Sequence, residues 1–111
     1  MTRAALAVSL GLALFGCRAK EKSPLERGAG VYVRACATCH GSARVPGRQL
    51  GFKVKPPNLA SPDLQRRLSD QALRSTIREG KGEMPPFGRM LSDEELSQLV
   101  VYLRSLTASA N

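Results

Sequence analysis

Residues 36–40 read Cys36-Ala37-Thr38-Cys39-His40. Two thiols stand three residues apart, so on one helical turn they share a face, and the histidine adjoins the second. A C-x-x-C-H run reads as a c-type haem attachment site. Each thiol adds to one vinyl group of the porphyrin, and His40 is then held beneath the iron. The rival readings want features that do not accompany the motif. A thioredoxin-like dithiol needs a βαβ context, and no such run of strands can be read here. A structural zinc site takes four Cys or His ligands, and outside the motif the sequence holds only Cys17.

A single buried macrocycle also suits the composition. The 111 residues suffice for one small domain, aromatic residues make up 5% and Trp is absent. A domain of this size with so few large side chains is marginal by itself, and a porphyrin would supply much of the missing apolar surface.

The N-terminus reads as a targeting segment. Arg3 makes a positive start, and Ala4 to Phe15 is an apolar run too short to span a bilayer comfortably. Residues 1–16 are therefore a signal peptide. The run ends Leu14-Phe15-Gly16-Cys17, which resembles the lipobox of bacterial lipoproteins, where the cysteine is acylated and becomes the mature N-terminus. Phe15 is bulkier than the residue usual at its position. Residues 17–24 become a lipidated tether anchored at Cys17; an ordinary secretory signal with a free Cys17, or an uncleaved anchor, are the alternatives. Each reading carries the chain across the cytoplasmic membrane, into the bacterial periplasm or cell envelope, where covalent haem attachment takes place. The formal net charge is +8. Export argues against nucleic acid as its partner. The charge instead suits docking with acidic redox partners or anionic lipid headgroups, against the alternative of a solvated basic surface without a specific role.

Beyond the tether, Ser23-Pro24 is an N-cap followed by proline at the first helical position, predicting a helix from Leu25 to about Cys36 with Leu25, Val31 and Tyr32 inward. Gly28 and Gly30 each weaken such a helix by roughly 1 kcal/mol relative to Ala, which suggests close packing. Gly41 to Leu68 reads as a long loop, punctuated by Pro46-Gly47, Gly51 and Pro56-Pro57-Asn58. Its basic residues Arg44, Arg48, Lys53 and Lys55 could ring a haem edge or meet its propionates, with no single one assigned. Ser69 caps a further helix with Leu73 and Ile77 as its apolar pair and Gly80 at its end. The last helix is capped by Ser92, with Glu95 completing a capping box and Leu91 and Leu96 forming a hydrophobic staple. Leu96, Leu99, Val100, Leu103 and Leu106 recur at the 3.6 period. Residues 107–111 are a tail.

An iron held by His40 needs a second axial ligand or an open position. His40 is the sole histidine, so bis-histidine ligation within one chain is excluded. Met84 and Met90 are the soft candidates, and methionine raises the potential relative to histidine. Met84 stands in a Gly- and Pro-rich loop, where Pro85 forces extended backbone on it. Met90 directly precedes the stapled cap and reads as core filler. The candidates are thus Met84 first, then Met90, then no protein ligand.

From about Leu25 to Leu106 the chain resembles a class I monohaem cytochrome c of the small bacterial type. The resemblance rests on the C-x-x-C-H site, the Met84-Pro85 loop, the terminal amphipathic helix and their order, with Gly28, Tyr32 and Tyr102 at the family's helix-crossing positions. It implies an all-α cytochrome c fold over residues 25–106, with N- and C-terminal helices crossing and a third helix and long loops wrapped around one covalent haem c. It also implies that Pro57 in Pro57-Asn58-Leu59 offers its carbonyl to the ligand imidazole, orienting His40 and raising its basicity. The implied function is a single-electron carrier, not an enzyme, with the iron ligated by His40 and Met84. Alternatives are a haem peroxidase or gas-binding protein with a labile sixth ligand, and an electron-accepting subunit of a larger redox complex.

Overall fold

The computed structural model describes residues 19–42 and 51–107. The targeting segment, Cys17, Arg44 and Arg48 lie outside these residues, as does nearly all of the tail. Helix α1 runs Pro24–Ala35, α2 Ala37–His40, α3 Pro62–Arg67, α4 Asp70–Glu79 and α5 Asp93–Ser105. Four of the five begin at a serine whose side chain accepts a backbone N–H of the first turn: Ser23, Ser61, Ser69 and Ser92. At Ser23 and Ser92 the box is reciprocal, with Glu26 and Glu95 accepting the cap residue's own N–H at 2.7 and 2.9 Å.

The fold is set by the crossing of α1 over α5. A Cβ built on Gly28 would lie 2.0 Å from the backbone oxygen of Gln98 and 2.9 Å from the Cβ of Tyr102, so only glycine lets the two backbones meet there. One turn further along, Tyr32 and Tyr102 pack with ring centroids 5.1 Å apart and planes tilted by 49°. Val31 and Tyr32 from α1, Ile77 from α4 and Leu96, Leu99 and Leu103 from α5 form one buried cluster with Cys36. Salt bridges Arg27–Glu94 and Arg34–Glu95 stitch the solvent edge of the same crossing. Such exposed pairs contribute about 0.2–1 kcal/mol each, so the apolar contact dominates.

Arg104 secures the other side of α5. It donates to the Gln65 carbonyl and side chain at 2.7 and 2.8 Å, to the Leu68 carbonyl at 2.6 Å, and to Asp70 at 2.8 Å. One guanidinium therefore satisfies the last carbonyls of α3 and ties down the first turn of α4.

The structure corrects four expectations. The stretch 41–68 is not loop throughout, because Ser61-Pro62 starts α3 as Ser23-Pro24 starts α1. Leu25 is 43% exposed rather than inward, lying a turn before the close crossing at Gly28. Met90 is 70% exposed and fills no core: Phe87 and Leu91, joined by a 3.1 Å backbone bond, take the inward places on either side of it. Gly30, unlike Gly28, faces open space.

Candidate haem-binding site

The C-x-x-C-H residues sit where α1 ends. Cys36 breaks the helix at φ −118° and still donates its N–H to the Tyr32 carbonyl at 2.8 Å. The chain then closes one tight turn, with His40 N–H donating to the Cys36 carbonyl at 2.9 Å. Gly41 stops the turn at φ +76°, a left-handed angle that glycine adopts without strain. The Tyr32 hydroxyl donates to the Gly41 carbonyl, so α1 holds the far end of the turn as well as its start. Burial pushes the Tyr32 phenol up to about 12, with the neighbouring Cys36 and Tyr102 adding to the effect.

Both motif thiols are free; Cys36 is buried and Cys39 half-buried. Burial, reinforced by Cys39 and opposed by Arg34, pushes the Cys36 thiol up to about 11.

His40 Nδ1 lies 3.2 Å from the Pro57 carbonyl oxygen. That oxygen can only accept, so Nδ1 carries the proton and Nε2 keeps its lone pair for a metal. Pro57 is held in turn by its own loop, in which Asn58 accepts the Ala60 N–H on its side chain at 3.0 Å and the Ser61 N–H on its carbonyl at 3.1 Å.

Met84 comes from the other side of the sequence. Lys81 and Met84 exchange backbone hydrogen bonds of 3.1 and 3.0 Å, making a closed miniature hairpin. Gly80, at φ +76°, has no room for a Cβ, which would lie 2.6 Å from the Met84 carbonyl oxygen. The far end returns to α4, with Phe87 and Gly88 N–H groups on the Ile77 and Arg78 carbonyls at 2.9 and 3.1 Å. Met84 is half-buried and packs against the core together with Leu59 and Phe87. The loop is therefore tied by backbone hydrogen bonds at both ends.

Among the described residues no group of three or more His, Cys, Asp or Glu could hold a bare metal ion. A metal whose equatorial ligands arrive with it fits what is present: two free thiols, one imidazole with its tautomer fixed, and one thioether on a braced loop. Leu59, Met84, Phe87 and Leu91 are half-buried apolar side chains packed against the core.

Residues 23–103 match the family described as cytochrome c oxidase, cbb3-type, subunit III. The chain belongs to that family of cytochrome c domains. The cytochrome is 38% identical over 97 residues to a cbb3-type cytochrome c oxidase subunit FixP of Sinorhizobium medicae, aligning 78% of this chain with 32% of that one. It is 35% identical to cytochrome c6 of Bryopsis maxima over 71% of its own length and 88% of the relative's. A solved structure, KustC0563 c-type cytochrome, superposes with a TM-score of 0.63 at 34% identity, covering 71% of this chain and 95% of that one. The cytochrome thus spans about a third of the FixP subunit and most of the other two. It has the all-helical small cytochrome c fold, with its N- and C-terminal helices in contact.

Sequence reasoning missed two residues at this site. Gly41 was legible, since a glycine directly after a helical turn is an ordinary terminator. Glu83, whose carboxylate reaches the 51–60 loop, was not, because no spacing or period marks it.

Proposed function

We propose that the cytochrome is a single-electron carrier whose one haem is bound covalently through Cys36 and Cys39, with His40 and Met84 as axial ligands. The observation that carries this reading is the 3.2 Å approach of His40 Nδ1 to the Pro57 carbonyl. The carbonyl can only accept, so it keeps the proton on Nδ1 and leaves the Nε2 lone pair for the iron. Haem bound there supplies a one-electron couple. The chain's own residues would fix its properties: Met84 offers a thioether, which favours the ferrous ion, and Leu59 and Phe87 are half-buried apolar side chains packed, like Met84, against the core. With both axial positions filled, no open site remains for oxygen or peroxide. Lys53 and Lys55, both exposed, carry positive charge on the loop that holds Pro57 and suit an acidic redox partner.

A lipid at Cys17 would confine the carrier to a membrane face in the periplasm or cell envelope. Among the described residues no helix is long and apolar enough to cross a membrane. The FixP and CcoP relatives, both oxidase subunits, favour a second reading in which the chain serves as the electron-accepting part of a larger redox complex.

Spectra of the exported protein test the first reading. Intact mass should include one covalent tetrapyrrole, and the reduced spectrum should be that of a low-spin haem c. The sulfur-to-iron band should vanish in Met84→Ala and persist in Met90→Ala. Loss of the band in Met90→Ala alone would overturn the ligand assignment. Rapid carbon monoxide binding by the native ferrous protein would favour a gas-binding or peroxidase role. Stable co-migration of the solubilised protein with another polypeptide would favour the subunit reading.

A further inference from the structure

The two loops that bear on the iron come from distant parts of the chain. One, residues 51–60, carries Pro57 behind His40; the other, residues 80–88, carries Met84. Glu83 joins them. One of its carboxylate oxygens accepts the Lys53 N–H at 3.2 Å and the other accepts the Val54 N–H at 3.1 Å. Two successive amides converge on one carboxylate, an arrangement that binds an anion through the backbone itself. The residue making this clamp is the immediate neighbour of Met84, and the hairpin bonds between Lys81 and Met84 leave little slack between them.

We infer that Glu83 is a positioning residue that holds the Met84 loop shut over the iron by gripping the backbone of the 51–60 loop. Each oxygen has its own amide, so both are needed. If the Met84 loop swings outward, the Lys81–Met84 hydrogen bonds make residues 81–84 move together. That motion breaks both Glu83 bonds. Each carboxylate bond therefore counts against dissociation of the thioether without touching the metal. The clamp also couples the sixth ligand to the fifth, because the loop that Glu83 grips is the one that orients His40. The inference rests on Met84 being the sixth ligand.

The test uses the haem-loaded protein as wild type, Glu83→Ala, Glu83→Gln and Met84→Ala. If the clamp acts, Glu83→Ala keeps a low-spin spectrum at neutral pH but loses the sulfur-to-iron band at lower denaturant. Ferrous carbon monoxide binding rises about tenfold, equivalent to about 1.4 kcal/mol in the open population, and the reduction potential falls. Glu83→Gln keeps one acceptor and turns the other into a donor, so it lies between wild type and Glu83→Ala. Amide exchange at Lys53 and Val54 accelerates in Glu83→Ala, a readout independent of the metal. Wild-type band stability, gas binding and potential in Glu83→Ala overturn the inference, even if exchange at those amides quickens. A band that survives Met84→Ala overturns the ligand reading instead, and the two failures are thereby told apart.

Discussion

The Tyr32 hydroxyl donates to the carbonyl oxygen of Gly41, spanning the whole C-x-x-C-H turn from the last full turn of α1 to the residue after His40. The same ring packs on Tyr102 of α5. A helix–helix contact and the turn bearing His40 therefore share one side chain, so a disturbance of the crossing reaches that turn.

Tyr32→Phe keeps the ring contact and removes the hydrogen bond. It should lower stability by about 1 kcal/mol at neutral pH. The Tyr32 phenol is raised from 10.0 to about 12 in the folded state. A group raised on folding contributes stability that is complete below its unfolded value and is lost as pH climbs toward the folded one. The wild-type advantage over Tyr32→Phe should therefore shrink between about pH 10 and pH 12, measured by denaturant unfolding across that range.

Gly28→Ala and Gly30→Ala should part company. The first drives a methyl group to within 2.0 Å of the Gln98 carbonyl oxygen, so α1 and α5 must separate. A loss of about 3 kcal/mol is expected, with weaker Tyr32–Tyr102 contact visible in near-ultraviolet circular dichroism. The second meets nothing within 4 Å and should gain roughly 0.5–1 kcal/mol. Thermal melts of the two variants beside wild type make the comparison.

Arg104→Ala removes the donor that holds the Gln65 and Leu68 carbonyls and the Asp70 carboxylate. It should cost about 2 kcal/mol, and amide exchange should accelerate in α3 and the first turn of α4 before the rest of the domain. Arg104→Lys should recover little, because an ammonium cannot reproduce the planar fork.

Acid should loosen both long terminal helices at their N-termini. Glu26 is held below its ordinary value by the Ser23 backbone N–H and hydroxyl, and Glu95 by the Ser92 backbone N–H with Arg34 assisting. Groups depressed on folding contribute stability above their unfolded value and lose it as pH falls through the folded one. Glu95→Gln should be less stable than wild type at pH 7, and the difference should close as the solution is acidified below the ordinary carboxylate range. Urea midpoints at successive pH values would show it.

A chain with Cys36→Ser and Cys39→Ser cannot form thioethers. Leu59, Met84, Phe87 and Leu91 only partly bury themselves against the protein, so without the macrocycle their apolar faces stay wet. The double variant should keep helical far-ultraviolet circular dichroism, lose near-ultraviolet structure and bind a hydrophobic dye.

The helices were legible wherever their ends are chemical. Ser69 with Gly80, and Ser92 with Glu95, mark their helices to within a residue, because orphan backbone groups there demand particular side chains. The six-residue α3 escaped notice although Ser61-Pro62 carries the same cap, since it is too short to show a period. Met90 shows the limit of reading hydrophobicity one residue at a time. Phe87 and Leu91 compete with it for the same inward direction, and which of three apolar neighbours turns in is a matter of packing. At the candidate site, the residue types that do chemistry were evident from the motif and loop composition. The braces were not: Glu83 and Arg104 both act on main-chain groups far away in sequence, and no local pattern records such a partnership.

Glu83 takes hold of amide hydrogens and ignores the side chains beyond them. Positions 53 and 54 can therefore change charge, size or polarity while the latch stays fastened, provided proline is not introduced. On the proposed reading, in which this loop meets a redox partner, the outer face of the loop and the latch behind it can therefore vary independently of each other.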